Sequence, residues 1–160
     1  MICSSPVDKS RVLSGKWKND IEFVTCGLKH IKFFSLNGRN LSIQKGIWGS
    51  IPNDALLTLE MAFENKTCVT GDGKGNLIIW TGRNANKSIK AHEGAVWSLL
   101  SKGNNLYSGG QDGIVKIFSS KFEVKEVIDF KNMTSFNPGI RSIDINEKNH
   151  LLIGTKGGDV

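Results

Sequence analysis

The chain has 160 residues, 39% hydrophobic and 22% charged, with a formal net charge of +6. That composition excludes a disordered tail and suits one folded domain. No apolar run reaches the ~18 residues of a membrane span. The start MICSSPVDKS lacks the basic segment and apolar core of a secretory signal. Cys3, Cys26 and Cys68 are odd in number, widely spaced and free of any C-x-x-C pair, which argues against a disulfide framework and for a reducing intracellular setting. In that setting the sequons at Asn65, Asn86 and Asn132 stay unused. Eighteen glycines against three prolines fit many tight turns between short strands.

In chain order, four units emerge. The first, residues 10–45, reads as strands over 12–17, 21–25, 30–34 and 41–44, with an Asn37-Gly38 turn before the last. The connection 46–54 carries Trp48, which either packs over the rim of the sheet or anchors a partner. The second unit, 56–90, places strands at 56–63, 67–71, 76–80 and 87–90. Leu57, Leu59, Met61 and Phe63 alternate with Thr58 and Glu60, which predicts one buried face.

The turn Gly71-Asp72-Gly73-Lys74-Gly75-Asn76 imitates a ligand loop. It lacks the Gly-Lys-Ser/Thr of a phosphate loop, the third glycine and helix of a dinucleotide fingerprint, and the ligand pattern of a calcium loop. It is expected to be a Gly-rich β-turn.

The third unit, 94–130, contains the stretch from Ala91 to Phe118. His92 precedes an alternating run (Ala95, Trp97, Leu99), Ser108 ends a second run, Asp112 sits in a Gly-Gln-Asp-Gly turn, and Phe118 closes a third run. The fourth unit, 139–160, is incomplete. In it Ile140, Ser142 and Asp144 alternate with Arg141, Ile143 and Ile145, and a second strand covers 150–155.

The aromatic closing the third run recurs as Phe34, Trp80 and Phe118. Thr70 and Ser108 each stand ten residues before theirs, whereas Thr25 stands nine before Phe34. Repeats of about 40 residues made of four short strands are the pattern of a β-propeller. The order His, Ser/Thr, Asp, aromatic resembles a WD repeat. That resemblance implies a structural network of His92, Ser108, Asp112 and Phe118 in the third unit, and of Thr70 and Trp80 in the second. Phe118 stands where the repeat's Trp would donate an N–H, and Lys74 stands where Asp112 does. A catalytic-triad reading of His92, Ser108 and Asp112 is set aside, because a blade needs those residues for a buried network. No catalytic, cofactor-binding or metal-ligating residues are assigned.

The whole of 1–160 is therefore expected to be a single partial propeller region, all-β, of about three and a half four-stranded antiparallel blades. Propellers need at least four blades, so the chain reads as part of a longer protein or as a piece that self-associates through open propeller edges.

Several strings resemble one family, the echinoderm microtubule-associated protein-like proteins: Phe23-Val24-Thr25-Cys26-Gly27 with Lys29-His30-Ile31-Lys32-Phe33-Phe34, Gly46-Ile47-Trp48-Gly49, Thr70-Gly71-Asp72-Gly73 with Gly75-Asn76 and Trp80, Lys90-Ala91-His92-Glu93-Gly94-Ala95-Val96, Gly139-Ile140-Arg141-Ser142, and Leu152-Ile153-Gly154-Thr155-Lys156-Gly157. The resemblance implies a non-catalytic cytoplasmic scaffold on the cytoskeleton, with proteins as partners, tubulin or microtubules among them. The family's upstream coiled coil is not in these residues, so attachment by this stretch alone is expected to be weak or absent.

Lys29, Trp48, Lys74, Arg83 and Lys156, in loops and turns at propeller faces, are the candidate partner-binding residues. The positive charge suits an acidic partner. The alternative is a general protein–protein interaction propeller without tubulin contact. An enzyme would need a cleft gathering His30, His92 or His150. Nucleic acid is not expected, since no basic stripe interleaves with stacking aromatics, and neither is a membrane partner.

Overall fold

The computed structural model describes residues 9–133, 136–158 and 160, so Cys3, Thr134 and Asp159 lie outside the described residues. The chain is all-β. β1 (Val12–Trp17), β2 (Glu22–Gly27), β3 (His30–Asn37) and β4 (Asn40–Lys45) form one four-stranded meander. β5 (Leu56–Met61), β6 (Thr67–Asp72), β7 (Asn76–Thr81) and β8 (Asn84–Lys90) form a second. β9 (Val96–Lys102), β10 (Asn105–Gly110), β11 (Ile114–Phe118) and β12 (Val124–Asp129) form a third. β13 (Ile140–Ile145) and β14 (Leu151–Thr155) pair as a two-stranded fourth sheet. Every pairing between these strands is antiparallel. The first strands, β1, β5, β9 and β13, lie side by side in that order, so the sheets fan out as blades from a common axis.

The core lies between blades rather than within one. Val24, Cys26 and Ile31 of the first blade meet Leu56, Leu59, Met61, Ile78 and Trp80 of the second. Val69 and Leu77 of the second meet Val96, Leu99, Leu106 and Phe118 of the third. Val115 of the third meets Ile140, Ile143 and Ile153 of the fourth. Each fully buried aliphatic here contributes ~1.5–3 kcal/mol of transfer free energy. On the face of the first blade turned away from the second, Trp17, Phe23, Phe34 and Ile43 form one cross-strand row, one residue per strand. Within that row the Phe23 and Phe34 rings stack at 4.5 Å.

Two local features depart from strict strand alternation. All four inner strands bulge at the same place, with the ladder jumping between Val12 and Ser14, Leu56 and Thr58, Val96 and Ser98, and Ile140 and Ser142. Leu13, Leu57, Trp97 and Arg141 are thus the extra residues. The insertion restores burial three positions on, so Leu56 pairs with Leu59, Val96 with Leu99 and Ile140 with Ile143 in the core. The expected Leu57–Leu59–Met61–Phe63 face therefore becomes Leu56–Leu59–Met61. Likewise Ile140 and Ile143 share the buried side, instead of lying on opposite faces.

Secondly, β5 stops at Met61 and a tight turn follows, with positive φ at Phe63 (54°), Glu64 (59°) and Asn65 (62°). Such angles are costly for residues with a Cβ. The turn holds because Phe63 is buried, donates its amide to Ser101 Oγ at 3.0 Å and meets Phe122 edge-on at 5.5 Å.

Candidate interaction surface and the networks beneath it

The antiparallel order puts the β2–β3, β6–β7 and β10–β11 turns, and the turn after β14, at one end of the blades. The inter-blade loops pack against those turns. Leu28 bridges Ala55, Gly73 donates to Ala55 O, Gly75 O accepts from His92, and Gly157 donates to Asn137 O. Loops on a rigid sheet scaffold are where binding groups are usually carried.

In the third blade, His92 links the loop to the sheet. Its Nε2 lies 2.7 Å from Ser108 Oγ and its Nδ1 lies 3.0 Å from Asp112 Oδ1. Asp112 accepts from Nδ1, which leaves Nε2 to accept the Ser108 hydroxyl proton when the imidazole is neutral. Asp112 also receives the Glu93 amide at 2.9 Å and the Ile114 amide at 3.2 Å. Burial alone would raise the Asp112 carboxyl, but the hydrogen bond from His92, the Glu93 amide, the His92 charge and the Ile114 amide outweigh it and hold the group below its ordinary value. Ser108 has no exposed surface and His92 only 2%, so the trio ties strands together with no route for a substrate to the hydroxyl. Phe118, in the position of the repeat's Trp, is 1% exposed and packs as an apolar wall.

The second blade keeps the other half of the network. Trp80 Nε1 donates to Thr70 Oγ1 at 3.0 Å, and Thr70 has no exposed surface. Lys74, in register with Asp112, pairs with Asp54 at 2.7 Å. The hydrogen bond from Lys74 and the Ala55 amide draw the Asp54 carboxyl down. Asp72, unassigned from the sequence, closes the turn. It accepts the Lys74 amide at 2.9 Å, the Asn76 amide at 2.8 Å and the Asn76 side chain at 2.7 Å.

The first blade is different again. By register Thr25 matches Thr70 and Ser108, and Phe34 matches Trp80 and Phe118. The ring of His30, from β3, lies over Gly27 as that of His92 lies over Gly110. Its Nδ1 faces Leu28 O at 3.2 Å, while His30 Nε2 and Thr25 Oγ1 are buried with no hydrogen-bond partner. The nine-residue spacing from Thr25 to Phe34 was the sequence signal for this pair.

Of the candidate partner-binding residues, Lys29 (φ 61°), Lys74 and Lys156 share the loop end, on equivalent turns. Arg83 sits in the β7–β8 turn at the opposite end and lines a 210 Å³ cleft between the first two blades with Phe33, Met61, Lys66, Cys68 and Trp80. Trp48 sets its ring edge-on to Trp80 at 5.2 Å and packs against the first core. Arg141, which had no assigned role, places its guanidinium 3.8 Å from the Trp97 ring centroid, with Lys156 Nζ 5.8 Å from the same ring. Burial pushes the Cys26 thiol up to about 12, and burial with nearby Cys26 and Glu60 raises Cys68 as well, so both behave as core side chains.

Comparison with known proteins agrees with this geometry. Residues 83–119 match the family model "WD domain, G-beta repeat". Echinoderm microtubule-associated protein-like 2 of Rattus norvegicus is 30% identical over 138 residues, covering 82% of this chain and 21% of that protein. The 77 kDa echinoderm microtubule-associated protein of Lytechinus variegatus is 28% identical across 99% of this chain and 26% of its own length. The chain thus spans about a fifth to a quarter of these relatives.

Among solved structures, U3-55K superposes with a TM-score of 0.73 at 13% identity, over 94% of this chain and 53% of that one. The computationally designed Ika4 protein gives 0.73 at 16% identity, over 99% of this chain and 94% of its own. Both likenesses concern the fold alone. The chain is a run of β-propeller blades, residues 83–119 of which match the WD repeat, and its sequence resembles the echinoderm microtubule-associated protein-like proteins over most of its length.

Proposed function

We propose that this chain is a non-catalytic WD-repeat scaffold module that binds partner proteins, microtubules among them, through its loop end, in the cytoplasm and on the cytoskeleton. The observation that carries the reading is the placement of Lys29, Lys74 and Lys156 on equivalent turns at one end of a basic chain, which suits an acidic polymer surface. The printed names of the relatives support microtubules as that partner. Nucleic acid and membrane are not part of the proposal. Among the described residues no helix is long and apolar enough to cross a membrane. Self-association is proposed through the apolar row on the first blade, where Trp17 is 59% exposed.

A general interaction module without tubulin contact is the second reading. It is favoured by Phe136 at the same end, 71% exposed, which offers an apolar anchor indifferent to charge. Microtubule co-sedimentation at two salt concentrations, with light scattering on the same sample, separates them. Saturable pelleting that weakens with salt supports the first reading. A folded sample that never pellets removes microtubules from the proposal and leaves the second.

A further inference from the structure

The cleft between the first two blades lies toward the end opposite the loop face, and partner binding at that face leaves it unused. Its floor is apolar and fixed. Phe33 of β3 lines it together with Met61, Cys68 and Trp80 of the second blade. The Trp80 indole is held by its 3.0 Å hydrogen bond to Thr70, by Trp48 edge-on at 5.2 Å and by Phe33 at 6.1 Å between ring centroids. A floor ordered in advance lowers the cost of seating an apolar group.

The rim is cationic. Lys18, Lys66 and Arg83 line it, with Glu22 as its acid. Lys18 pairs with Glu22 at 2.8 Å and Lys66 with Glu64 at 2.7 Å. Among the described residues Arg83 has no carboxylate partner, so of the three it holds the open positive charge. Its backbone is nevertheless clamped. Gly82 and Arg83 form the two-residue turn between β7 and β8, with φ 56° at Gly82. The connection from the first blade grips that turn: Ile47 donates its amide to Arg83 O and Ala85 donates to Ile47 O, both at 2.8 Å. A Cβ on Gly82 would meet nothing within 4 Å, so the entrance beside Arg83 is open.

Size and charge together select the ligand. At 210 Å³ the cleft is smaller than the ~300–1,000 Å³ of pockets that enclose drug-sized molecules, so it suits one ring system with a short arm and is too small for a nucleotide. One open guanidinium suits one carboxylate, which its planar fork can hold through two N–H groups. A polyphosphate would need Lys18 and Lys66 to give up their own acids. We propose that this cleft binds a small aryl carboxylate, with the ring on the Phe33 and Trp80 floor and the carboxylate against Arg83. The site is separate from the loop end, and stands whether or not that end binds protein.

The test is a proton–nitrogen NMR titration of the chain with indole-3-propionate, with the neutral indole-3-propionamide as control. The acid shifts the Trp80 indole N–H signal and the backbone amides of residues 82–85 saturably, and the amide binds about tenfold more weakly. Arg83→Gln weakens binding of the acid by a similar factor, and Gln44→Glu, which adds a negative charge to the rim, weakens it as well. Lys121→Gln, in the β11–β12 turn at the same end, leaves it unchanged. Circular dichroism confirms that each variant is folded. Equal affinity for acid and amide overturns the proposal, as does unchanged affinity in the folded Arg83→Gln variant. Shifts confined to the turns at 27–29, 73–75 and 156–158 overturn it too. A peptide ending in tryptophan serves as a last arm: binding of that peptide without binding of the free acid overturns the small-molecule ligand.

Discussion

Replacing His92 with alanine probes how much of the third blade hangs on one side chain. The change deletes the 2.7 Å contact to Ser108 and the 3.0 Å contact to Asp112 at once. Ser108 is left with a hydroxyl that has no exposed surface, and an unpaired buried polar group costs ~1–3 kcal/mol. Asp112 keeps the Glu93 and Ile114 amides, so its loss is the smaller. The space left by an imidazole that is 2% exposed adds a cavity cost. Together these give ~3–5 kcal/mol, or about 6–20 °C in melting temperature for a domain of this size. Far-UV circular dichroism melts of wild type and variant measure it, with amide exchange locating the change in β9, β10 and β11. A shift below ~1 kcal/mol refutes the reasoning, as does loss of partner binding at unchanged stability, which would make His92 a contact residue.

Three further outcomes follow from the same geometry. Trp80→Phe leaves the Thr70 hydroxyl buried and unpaired, and is expected to cost ~1–3 kcal/mol in urea unfolding. Adding Thr70→Val to that variant should recover part of the loss, since both polar partners are then gone. Asp112 has a folded pKa held below its ordinary 3.8, so its contribution is fully present above that value and is lost as pH falls through the folded one. Asp112→Asn should therefore flatten the acid limb of a stability–pH curve while lowering stability at neutral pH. Gly75→Ala should destabilise by more than ~1 kcal/mol in the same assay, because φ is +91° and a Cβ there would run into the His92 carbonyl.

Much of this architecture is legible in the chain itself. Phe34, Trp80 and Phe118 mark the third strand of each blade, and Gly-rich turns separate strands at regular intervals, so the strands and the repeat could be read directly. The bulges could not, because a period-two reading of Leu57, Leu59 and Met61 assumes an uninterrupted ladder. The apolar spacing of three, in Leu56–Leu59, Val96–Leu99 and Ile140–Ile143, was the signal for a one-residue insertion. The turn at Phe63, Glu64 and Asn65 was hidden for another reason: three non-glycine residues at positive φ are held by tertiary contacts, and local preference argues against them.

The candidate site divides the same way. His92, Ser108 and Asp112 lie in one stretch and were visible as a set, whereas His30 reaches the corresponding slot of the first blade from β3, across the turn from Thr25. Arg141 read as one face of an alternating strand, and only the bulge brings it over Trp97.

The central claim is that the loop end of the blades is the binding face. Amide hydrogen exchange of the chain with and without assembled microtubules tests it most directly. The account predicts added protection at residues 27–29, 73–75, 91–94 and 156–158, with the turns at 38–39, 82–83 and 103–104 unchanged. Protection confined to those opposite turns would contradict it.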